Sequence, residues 1–170
     1  TWSPDGSSLI VALRSPDLDR EARTRFTALT AGPIIVHTSS EPFLEWDLLQ
    51  RGTRSRSLAA IDPRTGAVRP LLPQGRITSY QPSRDGSFVT VMEDVTEKTD
   101  YDTIGGSENR LLAWTRGDAQ PKTLFTPKDF KGITPRWSDD SRWFAFAKQG
   151  EVFVRGVDGT AARSLTKKSE

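Results

Sequence analysis

Trp2-Ser3-Pro4-Asp5-Gly6 followed by Leu9-Ile10-Val11-Ala12-Leu13 is a turn leading into a short apolar run. Pro presets φ for a turn position, Asp bonds to the backbone ahead of it, and Gly accepts positive φ before the strand begins. The pair recurs as Pro82-Ser83-Arg84-Asp85-Gly86 before Phe88-Val89-Thr90-Val91-Met92. It recurs again as Trp137-Ser138-Asp139-Asp140-Ser141 before Trp143-Phe144-Ala145-Phe146-Ala147. Ser141 stands where the other copies have Gly, so the third turn is either of another type or mildly strained.

A second turn repeats downstream. Leu58-Ala59-Ala60-Ile61 leads through Asp62-Pro63-Arg64-Thr65-Gly66 into Val68-Arg69-Pro70-Leu71-Leu72, and Val152-Phe153-Val154 leads through Asp158-Gly159 into Ala162-Arg163-Ser164-Leu165. The middle copy is degenerate, with Arg116-Gly117-Asp118 between Leu111-Leu112-Ala113-Trp114 and Thr123-Leu124-Phe125. Further short runs, Ile77-Thr78-Ser79-Tyr80 and Ile133-Thr134-Pro135, precede the second and third copies. The runs are short, rich in β-branched and aromatic residues, and bounded by Gly, Pro, Asp and Ser, which favours strands over helices. Each unit therefore reads as a four-stranded antiparallel meander.

Many of these runs lack clean alternation, as strands do when a sheet is covered on both faces. A lone meander cannot bury two apolar faces, so it needs neighbours of its own kind, and radial stacking of such sheets is a β-propeller. Pro82 and Trp137 lie 55 residues apart, near the ~40–50 residues of a propeller blade. Trp2 and Pro82 lie 80 apart with a single Asp-x-x-Thr-Gly turn between them, which favours one blade carrying an insertion. The expected fold is all-β, a propeller fragment of about three blades: 1–76 with an insertion at about 15–56, then 77–131, then a partial blade at 132–170. The front of the insertion, 17–25, is charged and exposed, and Pro33-Ile34-Ile35-Val36-His37 is an apolar run. The stretch 40–49 can hold a short helix with Pro42 in its first turn. Residues 93–109 are acidic and Gly-rich and read as a loop. Trp2, Trp137 and Trp143 are expected to anchor packing between blades.

Composition mainly excludes. Of 170 residues 35% are hydrophobic, none is Cys and one is His, so disulfides, thiolate zinc sites and multi-histidine metal sites are out and no cofactor is called for. No apolar run approaches ~18 residues, so no membrane span is expected. A net charge of +2 spread along the chain gives no electrostatic case for nucleic acid. The chain opens on a turn without Met or a signal pattern and runs out in 166–170, which reads as a piece of a longer polypeptide.

The Trp-Ser-Pro-Asp-Gly and Asp-Pro-Arg-Thr-Gly turns resemble the repeat of TolB-type propellers, which also occurs in the N-terminal propeller of the prolyl oligopeptidase family of serine peptidases. Glu41-Pro42-Phe43-Leu44, Ser55-Arg56-Ser57-Leu58, Asp62 to Gly66 and Tyr80 to Gly86 together are similar to the propeller of that family's acylaminoacyl-peptidase-like and glutamyl-endopeptidase-like members. This resemblance implies a propeller that gates peptide substrates on their way to a hydrolase domain elsewhere in the same polypeptide, with further blades completing the ring. The alternative is a TolB-type protein-interaction propeller with no enzymatic activity. The compartment is left open by the sequence, with a periplasmic or secreted setting slightly favoured.

No catalytic residue is expected within the chain. Gly-x-Ser-x-Gly is absent, and its nearest approach, Gly105-Gly106-Ser107-Glu108-Asn109, reads as a polar hairpin loop. His37 is followed by Thr38-Ser39-Ser40, but an adjacent Ser on an extended strand points to the other face, so His37 reads as a packed residue. Candidate substrate-binding residues are Glu41 and Glu45, which share a face if helical, and Arg51, Arg54 and Arg56. The dipeptidyl-peptidase branch of the family holds a substrate amino terminus with a Glu pair, but that pair is adjacent and this one is spaced by four. The arginines suit acidic side chains; solvated surface is the ordinary reading of both sets. Glu93, Asp94, Glu97, Asp100 and Asp102 lack the alternating pattern of a calcium loop. Three blades of a ring leave two apolar faces open, which predicts self-association or binding of a hydrophobic dye.

Overall fold

Three turns of identical wiring begin the strand pairs. Ser3 Oγ donates to Asp5 Oδ1 at 2.6 Å and accepts from the Ser8 amide at 2.9 Å, while Gly6 closes the turn on the Ser3 carbonyl at φ 67°. Ser83, Asp85, Gly86 and Phe88 repeat this, as do Ser138, Asp140, Ser141 and Trp143. Ser141 adopts the same left-handed conformation at φ 58°, so the third turn is of the same type and carries the strain. The serine, not the proline, is common to all three; Arg84 and Asp139 occupy the place of Pro4.

The computed structural model describes residues 1–38, 40–103, 106–115, 118, 120–130 and 133–166. Ser39, Gly105, Arg116, Gly117, Gly132 and the tail 167–170, all touched by the sequence reading, lie outside the described residues. The chain is mostly β, 40% strand against 17% helix, with antiparallel sheets. β1 (Leu9–Arg14), β2 (Ser55–Ile61), β3 (Val68–Pro82), β4 (Phe88–Asp94), β5 (Asn109–Thr115) and β6 (Lys122–Phe125) are hydrogen-bonded in that order. β7 (Arg136–Trp137), β8 (Trp143–Lys148), β9 (Glu151–Gly156) and β10 (Arg163–Ser164) form a four-stranded sheet in chain order. β3 serves two partners: as far as Arg76 it pairs with β2, and from Ile77 it pairs with β4. The chain thus crosses the expected boundary at 76/77 as one continuous strand, changing partner there.

Two apolar clusters flank β4. Ile10, Leu58, Leu72 and Ile77 pack with Val89 and Val91 on one side. On the other, Phe125 meets Phe144 and Phe146 edge-on, at 5.9 and 5.2 Å, and Met92 and Trp137 close the cluster. Each aromatic pair is worth about 0.5–1.5 kcal/mol beyond its buried area. Phe88 to Val91 are buried without a break, as a sheet covered on both faces requires. In β8 the pattern alternates, with Phe144 and Phe146 buried and Trp143, Ala145 and Ala147 exposed. Trp137 packs against Phe88 and Phe144. Trp2 and Trp143 are 56% and 41% exposed.

The insertion is more helical than its composition suggests. α1 (Pro16–Thr30) spans the segment read as charged surface, with Pro16 at its start and none of its residues buried. Leu18, Ala22, Phe26 and Leu29 recur at helical spacing on its half-covered side. α2 (Glu45–Thr53) follows the expected Pro42 but begins three residues beyond it. The two helices pack closely enough that a Cβ on Gly52 would lie 2.9 Å from that of Ala22. Ile34 and Val36 between them are exposed. A one-turn helix, α3 (Pro127–Phe130), follows β6.

Candidate functional site

Residues 15–54, between β1 and β2, meet residues 95–108, between β4 and β5, around one guanidinium. Asp47 and Arg51 are four apart on α2 and therefore share a face. Arg51 Nε lies 3.0 Å from Asp47 Oδ1, Nη1 donates to Asp94 Oδ2 at 2.5 Å, and Nη2 donates to the Gly106 carbonyl at 2.9 Å. The guanidinium also sits 4.9 Å from the centre of the Phe43 ring, a cation–π distance. Asp47 Oδ2 accepts from Thr99 Oγ1 at 2.8 Å, and Thr99 Oγ1 accepts from the Leu44 amide at the start of α2.

Asp94 is the hub. Its Oδ1 accepts from the Thr96 amide and hydroxyl, and its carbonyl accepts from Arg76 Nε at 2.9 Å. Arg76 Nη2 reaches the Thr96 carbonyl at 2.6 Å. Arg51, Asp47, Asp94, Thr96 and Thr99 are all buried. Burial pushes the Asp94 carboxyl upward, but the Thr96 hydrogen bonds and the Arg51 and Arg76 charges outweigh it and hold the carboxyl below its ordinary range. Two carboxylates facing two guanidinium groups balance in charge, which is the condition under which buried ions are tolerated. Such a network holds shape; it offers no nucleophile or loosely held proton.

Beyond it, residues 96–103 and 106–108 line an open hollow of about 630 Å³. Glu97, Asp100, Asp102 and Glu108 contribute carboxylates to its wall and Lys98 the opposing charge. No group of three or more His, Cys, Asp or Glu side chains placed to hold a metal occurs among the described residues.

The residues singled out from sequence are dispersed. Glu41 precedes α2, so it shares no helix face with Glu45; it pairs with Arg25 at 3.0 Å and its side chain is 38% exposed. Glu45 is buried, with His37 Nδ1 3.5 Å from its carboxylate. His37 is thus a partly covered side chain against α2. Arg51, Arg54 and Arg56 do not form an open basic cluster. Arg51 is buried and neutralised, Arg54 caps the end of α2, and Arg56 lies in β2 opposite Arg14 and Gly75. What sequence reading missed is the Asp47–Arg51 pair, whose spacing was the available signal, and the threonines that complete it, which carry none.

No family model matches the chain, and no curated protein matches it. Among the described residues no helix is long and apolar enough to cross a membrane.

Proposed function

We propose that these residues are three four-stranded blades of the β-propeller of a prolyl-oligopeptidase-type serine peptidase, gating peptide access to a hydrolase domain that lies outside them. One observation carries the reading: a single Ser-x-Asp turn occurs three times, and the three copies touch in succession. Gly86 lies against the Pro4 ring, and the Arg84 amide donates to Ser141 Oγ at 3.0 Å. β3 up to Arg76 closes the first blade and from Ile77 opens the second, while β7–β10 make the third. Successive turns on one edge are what radial stacking of like sheets produces.

Gating needs a rigid rim. The insertion, clamped onto residues 95–108 through Arg51, supplies one, and selection by size follows from how far that rim narrows the approach. Glu41 remains the carboxylate of the original pair that a peptide amine could reach, by displacing Arg25. Catalysis itself is acyl transfer by an activated serine and an oxyanion hole, both outside these residues.

The test uses the complete polypeptide. A fluorophosphonate probe is expected to label one serine beyond residue 170, and turnover is expected to fall as peptide substrates lengthen. A folded, probe-silent polypeptide without Gly-x-Ser-x-Gly would overturn the peptidase reading and leave the TolB-type binding propeller.

A further inference from the structure

A groove of about 340 Å³ opens between α1, α2 and the paired ends of β2 and β3. That volume is at the low end of small-ligand pockets, which run from about 300 to 1,000 Å³. Its walls are mainly apolar, with Leu18 and Ala22 of α1, Leu48 of α2 and the Phe43 ring among them.

Charge on the wall is one-sided. Arg25, Arg51 and Arg76 line the groove against a single carboxylate, Glu21. The acids that pair with the first two stand behind the wall, Glu41 with Arg25 and Asp47 and Asp94 with Arg51. Arg76 differs from both. Its hydrogen bonds, from Nε and Nη2, go to the neutral carbonyls of Asp94 and Thr96. The Asp94 carboxylate feels its charge, but among the described residues Arg76 makes no ion pair and its Nη1 makes no hydrogen bond. Ser55 stands directly opposite Arg76 in the β2–β3 register. Its hydroxyl oxygen accepts from Gln74 Nε2, which leaves the hydroxyl proton to donate. Two donors, one of them charged, thus meet at the strand end of an apolar groove.

We propose that this groove binds a small amphipathic monocarboxylate, its carboxylate on Arg76 Nη1 and the Ser55 hydroxyl and its apolar body between Leu18, Phe43 and Leu48. Charge-assisted hydrogen bonds of this kind are shorter and about twice as strong as neutral ones. Glu21 repels the head group from α1, which fixes it at the strand end and leaves the helices to cover the tail. A second acid group on the tail would meet Glu21, so a monocarboxylate is preferred to a dicarboxylate. The site lies within the insertion and the strands beneath it, and it stands whether or not the sheets belong to a peptidase.

Isothermal titration calorimetry of the complete polypeptide with sodium octanoate tests it. One saturable site is expected. Octanol, which lacks the charge, and acetate, which lacks the body, are each expected to bind about tenfold or more weakly, and Arg76→Gln is expected to weaken octanoate by a similar factor. Because Arg76 also holds the backbone at Asp94 and Thr96, Leu18→Glu supplies a second variant. α1 buries none of its residues, so this change leaves the fold in place while setting a carboxylate in the wall, and octanoate binding is expected to be lost. Suberate, the same chain with a second carboxylate, is expected to bind more weakly than octanoate, and Glu21→Gln to narrow that difference. Three results overturn the proposal: no uptake of octanoate at millimolar concentration, octanol bound as tightly as octanoate, or octanoate binding unchanged in Leu18→Glu. A polypeptide that binds octanoate here but is silent to a fluorophosphonate probe would remove the peptidase and leave the site.

Discussion

Arg51 and Asp94 are 43 residues apart in sequence, yet Nη1 of one donates to Oδ2 of the other at 2.5 Å with both side chains closed to solvent. Through this bond the helical insertion is held to the loop that follows β4. Removing one member of a buried pair leaves an uncompensated charge, which costs about 3–5 kcal/mol. Arg51→Met is therefore expected to destabilise the chain by that amount in urea unfolding. Arg51→Met with Asp94→Asn is expected to cost less than the sum of the two single changes; strict additivity would show that the two side chains are not coupled.

Acid acts on the same bond. Asp94 has its folded pKa lowered, and Asp5 and Asp85 are lowered to about 2, Asp5 first by the Ser3 hydroxyl and Asp85 first by the Ser87 hydroxyl. A carboxylate depressed in the folded state contributes stability that is complete above its unfolded pKa, about 3.9, and is lost as pH falls through the folded value. Urea midpoints are expected to hold steady down to about pH 5 and to drop between about pH 4 and 2. Asp85→Asn is expected to flatten part of that drop; an unchanged slope would show that the turn aspartates do not contribute.

Ser141 sits at φ 58°, where glycine is ordinarily preferred, while its Oγ accepts from the Arg84 amide of the neighbouring turn. Relief of left-handed strain is worth about 1–2 kcal/mol and an unsatisfied amide costs about 1–3 kcal/mol. Ser141→Gly makes both changes, whereas Ser141→Ala keeps the strain and loses the bond. The expected order of thermal stability is wild type, then Ser141→Gly, then Ser141→Ala. A glycine variant clearly more stable than wild type would show that the Arg84 bond contributes little.

Gly52 lies inside α2, where Gly→Ala ordinarily stabilises by about 1 kcal/mol. Here the added methyl would come within 2.9 Å of Ala22 Cβ on α1. Gly52→Ala is expected to destabilise, and Ala22→Gly in the same chain to recover most of the loss. The usual gain from the single change would mean that α1 moves away freely.

Turn chemistry made the strands readable one copy at a time. Ser3, Ser83 and Ser138 each act on residues no more than five positions away, so the three turns and the runs after them could be located without any tertiary knowledge. α1 could have been found from Leu18, Ala22, Phe26 and Leu29, but the six charged residues of the same helix masked that spacing.

Local order followed from neighbours along the chain, and so did the all-β character, because hydrogen bonds in a turn span few residues. Which charges meet did not. Arg51 looks like part of a basic surface run until folding brings Asp94, Thr99 and the Gly106 carbonyl around α2, and Glu41 looks like the partner of Glu45 until the helix begins after it. Burial and ion pairing depend on segments 43 to 55 residues apart becoming adjacent, and no spacing along one strand or helix records that.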